Sequence, residues 1–194
     1  AYISRLDELL DLLGRKDPVL GKERLGRYCI QDNFFKFWYR FIFPNQTPLS
    51  LGNTKLVSNL IKENLNSYAG RIFEDVVKEL LILYNTKEIN GLKLNFENIG
   101  SWWDRNGNEI DIVAYNLKEK EFLLGEVKWT NKLLDADVVE ELYRKYKLFN
   151  HSGTYKFLFV SKSGFSESAI KKMNELKAVY LDLKDISKLF EEAK

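Results

Sequence analysis

The sequence contains only one cysteine, Cys29, and one histidine, His151. A single cysteine cannot form an internal disulfide, and these two residues cannot supply the four Cys and His ligands of a structural zinc site. The composition therefore excludes zinc fingers, haem-attachment motifs and Cys-x-x-Cys redox chemistry.

Long apolar runs and phosphate-binding glycine loops are also missing. No run approaches the roughly 18 to 20 apolar residues of a membrane-spanning helix, and the N-terminus lacks the features of a signal peptide. We therefore expect a cytoplasmic protein with no membrane partner. The eleven glycines form no G-x-x-x-x-G-K-[ST] motif, so a Walker loop has no support. Any chemistry is expected to depend mainly on carboxylates and lysines.

What is present describes an ordinary globular chain of 194 residues, 45% hydrophobic and 30% charged. The charge is uneven, because residues 1–60 hold nine Lys and Arg against six acidic residues, whereas the remainder is nearly balanced. A basic segment suits contact with phosphates, although a solvated surface is the simpler interpretation. The first residue is Ala1 rather than methionine, so we expect a piece of a longer protein.

The N-terminal third has no regular α/β pattern. Apolar spacing predicts a helix over 2–13 that ends at Gly14, followed by an extended ribbon over 15–31. An aromatic-rich helix is expected over 33–43, and prolines make 44–54 the predicted linker.

From about residue 55 the pattern becomes that of an α/β domain with a mixed sheet flanked by helices. The second and third predicted strands are joined by a charged turn and are expected to form an antiparallel hairpin. The predicted elements are a helix over 66–84, strands over 94–103, 108–115 and 120–129, a helix over 135–149, a strand over 155–161, a helix over 165–176, a strand over 178–181 and a helix over 184–192.

Charged residues occur within two of these strands, where a buried sheet would exclude them. Strand alternation puts Glu109 and Asp111 on one face, and Ile110 and Ile112 on the other.

The next strand carries Glu126 and Lys128 on one face and Val127 on the opposite one. If the two strands pair, Asp111, Glu126 and Lys128 converge. Burying such charges costs several kcal/mol each unless they are paired or bind a metal.

Two interpretations of this convergence stay open. In one, Asp111 and Glu126 are hard oxygen ligands for Mg²⁺, assisted by the Val127 carbonyl, and Lys128 orients the attacking water or offsets charge on a phosphate. In the other, the charges blunt a strand end or form a plain ion pair of Lys128 with either carboxylate.

Glu74 is a third candidate carboxylate, on the predicted helix 66–84. It lies one position after Phe73 and therefore at the edge of the apolar stripe. Gly70, one turn earlier, would let a neighbouring backbone come close. A solvated surface glutamate is the alternative interpretation.

A Glu on a first helix (Glu74), an Asp on the second strand (Asp111) and E-x-K on the third (Glu126 and Lys128) resemble the PD-(D/E)XK nuclease superfamily, with its archaeal Holliday-junction resolvase and Mrr-like branches. Ile110 replaces the proline of the motif. The resemblance implies a restriction-endonuclease-like αβββαβ core and Mg²⁺- or Mn²⁺-dependent phosphodiester hydrolysis. Asp111 and Glu126 would be metal ligands, Lys128 catalytic, and Glu74 an auxiliary ligand or base.

The wider sequence is similar to the C-terminal region of a family of archaeal P-loop ATPases. The segments that carry this likeness are Tyr28–Phe41, Gly70–Glu74, Ile99–Asp104, Glu109–Ala114, Gly125–Trp129 and Ser163–Phe165. The resemblance implies a partial winged helix and aromatic connector over 1–54, a nuclease-like domain over 55–194, and an ATPase module that is absent from this chain. It also implies DNA as a partner, and related nucleases suggest a homodimer.

We therefore expect a Mg²⁺-dependent DNA endonuclease domain, with a non-cleaving DNA- or protein-binding regulatory module as the alternative. The strand tryptophans Trp102, Trp103 and Trp129 are expected to pack in the core, with stacking on unpaired bases as the other possibility. His151 is expected to be a solvated loop residue.

Overall fold

A computed structural model describes residues 12–193 and divides the chain into two compact units. One unit comprises the described residues up to Pro18 together with Lys22–Asn66. The other comprises Val19–Gly21 and the described residues from Ser67 onward. Most of the predicted helix over 2–13 lies outside the described residues.

The first unit contains a two-stranded ribbon followed by helical turns. Strands β1 (Leu13–Lys16) and β2 (Arg27–Ile30) pair antiparallel, with Gly14 opposite Cys29. The predicted helix end at Gly14 is therefore wrong, because Gly14 is a buried strand residue. Of the extended ribbon expected over 15–31, the strand around 28–30 is confirmed. Its partner strand was predicted at 18–20, which is wrong, because Leu13–Lys16 forms the pair instead.

Helix α1 (Asn33–Phe37) continues into a π-helical turn (Trp38–Ile42) and a 3₁₀ turn (Phe43–Asn45). Its rings pack along the helix, as for Phe37 and Phe41 at 5.1 Å between centroids. The predicted linker over 44–54 is instead largely helical, because α2 (Gln46–Ser50) forms within it.

Helix α3 (Thr54–Leu83) is 30 residues long and starts well before the predicted position near residue 66. A short hairpin that the sequence patterns did not predict follows it, formed by β3 (Glu88–Ile89) and β4 (Leu92–Lys93).

The second unit is built on a five-stranded mixed sheet with the order β5-β6-β7-β8-β9. Strands β5, β6 and β7 are antiparallel, while β8 and β9 run parallel to β7. The predicted hairpin and the helix that follows it are confirmed. The elements are β5 (Asn98–Trp103), β6 (Glu109–Asn116), β7 (Glu121–Lys128), α4 (Ala136–Phe149), β8 (Thr154–Ser161), α5 (Glu167–Glu175), β9 (Val179–Asp182) and α6 (Leu183–Glu192).

Helices cover both faces of this sheet. On one face the residues of α3 from Phe73 onward pack with Ile112, Val127, Leu158 and Ile186 of α6. On the other face α4 and α5 pack over a second apolar cluster. Side-chain caps set the helix starts, since Asp135 accepts a hydrogen bond from Ala136 N and Asp182 forms a capping box with Asp185.

No helix among the described residues is both long and apolar enough to cross a membrane.

Candidate functional site

Glu126 lies at the centre of the charged cluster, on the middle strand of the sheet. It is 3% exposed and is the only buried carboxylate or ammonium residue among residues 12–193. Lys128 Nζ donates to Glu126 Oε1 at 2.6 Å, and Lys145 Nζ donates to Oε2 at 3.1 Å. Both oxygens of this buried carboxylate therefore face ammonium groups.

Lys145 is a site residue that the sequence patterns did not reveal. It comes from α4 and is only 11% exposed. Its position three residues after the buried Leu142 places it beside the apolar stripe of that helix. That spacing was the available signal, but a lysine at a stripe edge usually extends its charge into solvent.

Asp111 reaches the cluster through an irregularity in β6. Two residue steps on β5, from Gly100 to Trp102, face three steps on β6, from Val113 to Ile110, which places a β-bulge in β6 at Asp111. The strict alternation predicted from the sequence is wrong here, because Ile110 packs beneath α4 and α5 while Ile112 packs on the α3 face. Bulges of this kind re-aim a side chain and are common beside active sites.

Two hydrogen bonds hold Asp111 in place. Its Oδ2 accepts from Val127 N at 2.9 Å. Its main-chain oxygen accepts from Ser101 Oγ at 2.8 Å, and Ser101 Oγ in turn accepts from Lys78 Nζ of α3 at 2.9 Å. Helix α3, strand β5 and the bulge are therefore joined by one chain of polar contacts.

Glu74 is half-buried on α3, one turn before Lys78. Within residues 12–193 its carboxyl group makes no hydrogen bond and no ion pair. Burial, followed by the charge of Asp111, raises the pKa of Glu74 to about 7. A solvated surface glutamate would not show such a shift.

Two more of the four predicted residues, Asp111 and Lys128, also have shifted pKa values. Burial and the neighbouring Glu126 raise the pKa of Asp111 to about 6, against the opposing hydrogen bond from Val127. For Lys128, burial favours the neutral amine, but the charge and hydrogen bond of Glu126 outweigh it and raise the pKa of the ammonium group. Lys128 therefore stays charged at neutral pH.

The structure thus brings all four predicted residues into one cluster within the second unit. The charge of Lys128 interacts with Glu126, Asp111 and Glu74. When Lys145 is included, the cluster contains three carboxyl groups and two ammonium groups. Its acidic groups therefore outnumber its basic groups, and their oxygen atoms are the ligands that a hard divalent cation prefers.

The arrangement is not a ready-made set of metal ligands. Among the side chains of residues 12–193, no three His, Cys, Asp or Glu residues are grouped so that they could hold a metal ion. Both oxygens of Glu126 are instead in contact with lysines. The assignment of Asp111, Glu126, Glu74 and the Val127 carbonyl as ligands stays a prediction, and the oxygen chemistry of these groups fits it.

The tryptophans beside the cluster pack as expected. Trp102 and Trp103 are 8% and 5% exposed, which confirms the core-packing interpretation. Trp129 is half-buried, packs on Phe73 at 5.0 Å between ring centroids and lies under Lys162 Nζ at 4.7 Å.

His151 differs from its expected solvated position. It is half-buried, 4.4 Å from the Phe149 ring centroid and 5.7 Å from that of Phe122. Burial lowers the pKa of its imidazole. It belongs to an aromatic cluster of the core rather than to the charged site.

Comparisons with known proteins give a family but no activity. The family model of DUF234, described as archaeal and bacterial proteins of unknown function, matches residues 38–141, which is just over half of the chain. An uncharacterised protein of Methanocaldococcus jannaschii is 41% identical over 152 residues, covering 76% of this chain. The chain spans 33% of the length of that curated relative. No solved structure matches significantly.

Proposed function

The chain belongs to the DUF234 family, and we propose that its second unit is a divalent-cation-dependent DNA endonuclease domain of the restriction-endonuclease-like type. The observation that carries the proposal is the buried Glu126 carboxylate, grouped with Asp111, Glu74 and Lys128. Burying Glu126 among partly buried charged groups costs folding free energy that an apolar core would not. Partly buried carboxylates with raised pKa values, such as Glu74 and Asp111, are candidates for functional residues.

The topology supports the same proposal. Apart from the short β3–β4 hairpin after α3, the order α3-β5-β6-β7-α4-β8 agrees with the αβββαβ core that the resemblance implies. The three carboxylates and Lys128 come from the elements that the motif requires, namely the first helix, the second strand and the third strand.

Each residue has a role that follows from its environment. A bound Mg²⁺ or Mn²⁺ would polarise a phosphodiester and lower the pKa of water, and Asp111, Glu126 and the Val127 carbonyl would hold it. Lys128, which keeps its proton, would donate a hydrogen bond to a phosphate oxygen rather than act as a base. Glu74, with its pKa near 7, would accept a proton from water at neutral pH.

DNA is the proposed partner of the whole chain, on two grounds. The basic excess of residues 1–60 suits phosphate contact. The β1–β2 ribbon of the first unit supports the proposal that 1–54 is part of a winged helix. A P-loop ATPase module beyond this chain and a homodimer belong to the same proposal.

A nuclease assay tests the activity. Linear, single-stranded and branched DNA would be incubated with the protein and Mg²⁺ or Mn²⁺, and with EDTA as the control. We expect cation-dependent cleavage that is lost in Asp111→Ala and Lys128→Ala. Cleavage that survives both substitutions contradicts the proposed site.

The second candidate is a non-cleaving DNA- or protein-binding regulatory module. The observation that favours it is the pairing of both Glu126 oxygens with lysines, which neutralises this buried carboxylate without a metal. Calorimetric titration with Mg²⁺ and Mn²⁺ separates the two candidates. Binding that depends on Asp111 and Glu126 supports the nuclease, whereas no binding together with retained DNA affinity supports the module.

A further inference from the structure

Glu126 is shared by two lysines from different elements, and these lysines differ in their surroundings. Lys128 follows Glu126 by two residues on β7, and its side chain is 35% exposed. Lys145 comes from α4 and is 11% exposed. The more deeply buried ammonium group is therefore the one that sequence patterns did not associate with the site.

One ammonium group would already neutralise one carboxylate. Burying a second requires removing another charge from water, at a cost of several kcal/mol before any compensation. Within residues 12–193, the ion pair with Glu126 is the only one that Lys145 makes, at 3.1 Å. The fold therefore desolvates a second ammonium group on Glu126, whose other oxygen already accepts from Lys128.

The two lysines would respond differently if Glu126 were taken by another cation. The charge of Lys128 also interacts with Asp111 and Glu74, so two more carboxylates retain it in the cluster. The charge of Lys145 also acts on Asp111 and on Glu141 of its own helix. Within the described part of the chain, however, its ion pair is with Glu126 alone. A lysine side chain is also a flexible point charge that can move away by rotation about its four-carbon stem.

We propose that Lys145 is a positioning residue that occupies the place of a divalent cation on Glu126 and is displaced when that cation binds. This rests on the cation site of the proposed function. The same oxygen lone pairs cannot accept an ammonium hydrogen bond and ligate Mg²⁺ at about 2.0 to 2.1 Å. An ammonium group and a divalent cation in contact with the same oxygen would also repel each other strongly.

This arrangement gives the free protein a neutralising partner for its most buried carboxylate. Glu126 stays fixed in position by Lys145 and Lys128 instead of swinging out toward water. A monovalent cation would gain little by replacing one unit charge with another. Replacing the ammonium group with a divalent cation adds one unit of positive charge beside Glu126. The exchange therefore favours divalent over monovalent ions.

Calorimetric titration of the full chain with Mn²⁺ tests the exchange. Lys145→Met keeps the approximate length of the side chain and removes the competing charge, so we expect Mn²⁺ to bind about tenfold more tightly than to the wild type. Lys147→Met is the matched control, because Lys147 is an exposed lysine on the same helix, 4.9 Å over the Tyr143 ring. It should leave the affinity unchanged. An affinity in Lys145→Met that is equal to or weaker than that of the wild type overturns the proposal.

A second measurement needs no substitution and therefore does not depend on the variant folding. The wild-type chain would be acylated briefly with and without Mn²⁺, and the modification of each lysine quantified by mass spectrometry. We expect Mn²⁺ to increase the acylation of Lys145 several-fold while that of Lys147 stays constant. If Mn²⁺ leaves the acylation of Lys145 unchanged or decreases it, Lys145 is not displaced and the proposal is contradicted.

Failure of this inference and failure of the proposed function give different results. If the wild type binds no Mn²⁺ or Mg²⁺, both are overturned. If binding is lost in Glu126→Gln but is unaffected by Lys145→Met, the cation site stands and only the displacement of Lys145 is wrong.

Discussion

The Asp111 carboxylate accepts a hydrogen bond from the main-chain N–H of Val127 at 2.9 Å, where the regular pairing of β6 with β7 has ended. The last ladder partners are Ile112 and Gly125, so the side chain takes the place of a main-chain acceptor. Asp111 is therefore both a structural residue and a candidate metal ligand.

These two roles can be separated by two substitutions at the same position. Asp111→Asn keeps an oxygen that can accept from Val127 N, so we expect the free energy of unfolding to change by less than about 1 kcal/mol. Asp111→Ala leaves that N–H without its acceptor and should cost about 1 to 3 kcal/mol. Urea denaturation of both variants measures the difference.

Both Asp111 substitutions should abolish cation binding and lower cleavage by at least about 100-fold. Glu121→Gln is the control, because Glu121 lies at the other end of β7 and pairs with Lys156 at 2.9 Å. Wild-type cleavage by Asp111→Asn would contradict the ligand role.

Stability should depend on pH through Glu74. The pKa of this carboxyl is raised to about 7 from a usual value of 4.5, so the folded chain binds its proton more tightly than the unfolded chain. Its stabilising contribution is complete below about pH 4.5 and is lost as the pH rises through 7. Asp111, with its pKa raised to about 6, acts in the same direction. We expect the free energy of unfolding in EDTA to fall over this window.

Glu74→Gln should flatten this dependence and stabilise the protein at pH 8 by about 1 to 2 kcal/mol, after allowance for solvent screening. Glu79→Gln, an exposed position on the same helix, is the control. Urea denaturation at intervals between pH 4 and 8 provides the measurement. A pH dependence that persists unchanged in Glu74→Gln would falsify this assignment.

Ser101 should contribute to stability because its hydroxyl group holds the main chain at the β-bulge. Its hydroxyl donates to the main-chain oxygen of Asp111 and accepts from Lys78. Ser101→Ala removes both contacts, so we expect a loss of about 1 to 2 kcal/mol and weaker cation binding. Ser187→Ala removes an exposed serine on α6 that bonds its own helix, and should change stability by less than about 0.5 kcal/mol. Equal effects of the two substitutions would contradict the linking role of Ser101.

A substitution at Gly70 is expected to increase stability, in contrast to the substitution of Ser101. The sequence predicts the close approach of a neighbouring backbone at this position. Among the described residues, however, the only atom within 4 Å of a methyl group added to Gly70 is the side-chain Cβ of Trp129, at 3.8 Å. Because that is an ordinary contact inside a helix, Gly70→Ala should stabilise the protein by about 0.5 to 1 kcal/mol. Thermal unfolding measures the change, and a loss of stability would show that the site requires glycine.

The sequence patterns predicted the elements that depend on regular periodicity. Strand alternation and helical spacing indicated β7, α4 and β8 within one or two residues. They failed where tertiary contacts override a local pattern. Gly14 matched a helix C-cap but lies in a strand, and the start of α3 had no apolar stripe clear enough to reveal it.

The candidate site was predictable in its residues but not in its contacts. Glu74, Asp111, Glu126 and Lys128 are the charges that interrupt apolar patterns, and the structure groups them. The bulge at Asp111 could not be predicted, because it depends on the register between β5 and β6. Lys145 could not be assigned either, since its partner lies 19 residues away in the sequence.

The position of β7 in the sheet also determines when the cluster can form during folding. Its antiparallel partner β6 is reached through a tight turn, whereas its parallel partner β8 and Lys145 arrive only after the α4 crossover. Such non-local contacts form late. We therefore expect the β6–β7 hairpin to assemble with Glu126 still hydrated, and the docking of α4 to remove this carboxylate from water. Substitutions at Lys145 should accordingly speed unfolding more than they slow folding, which stopped-flow kinetics can measure.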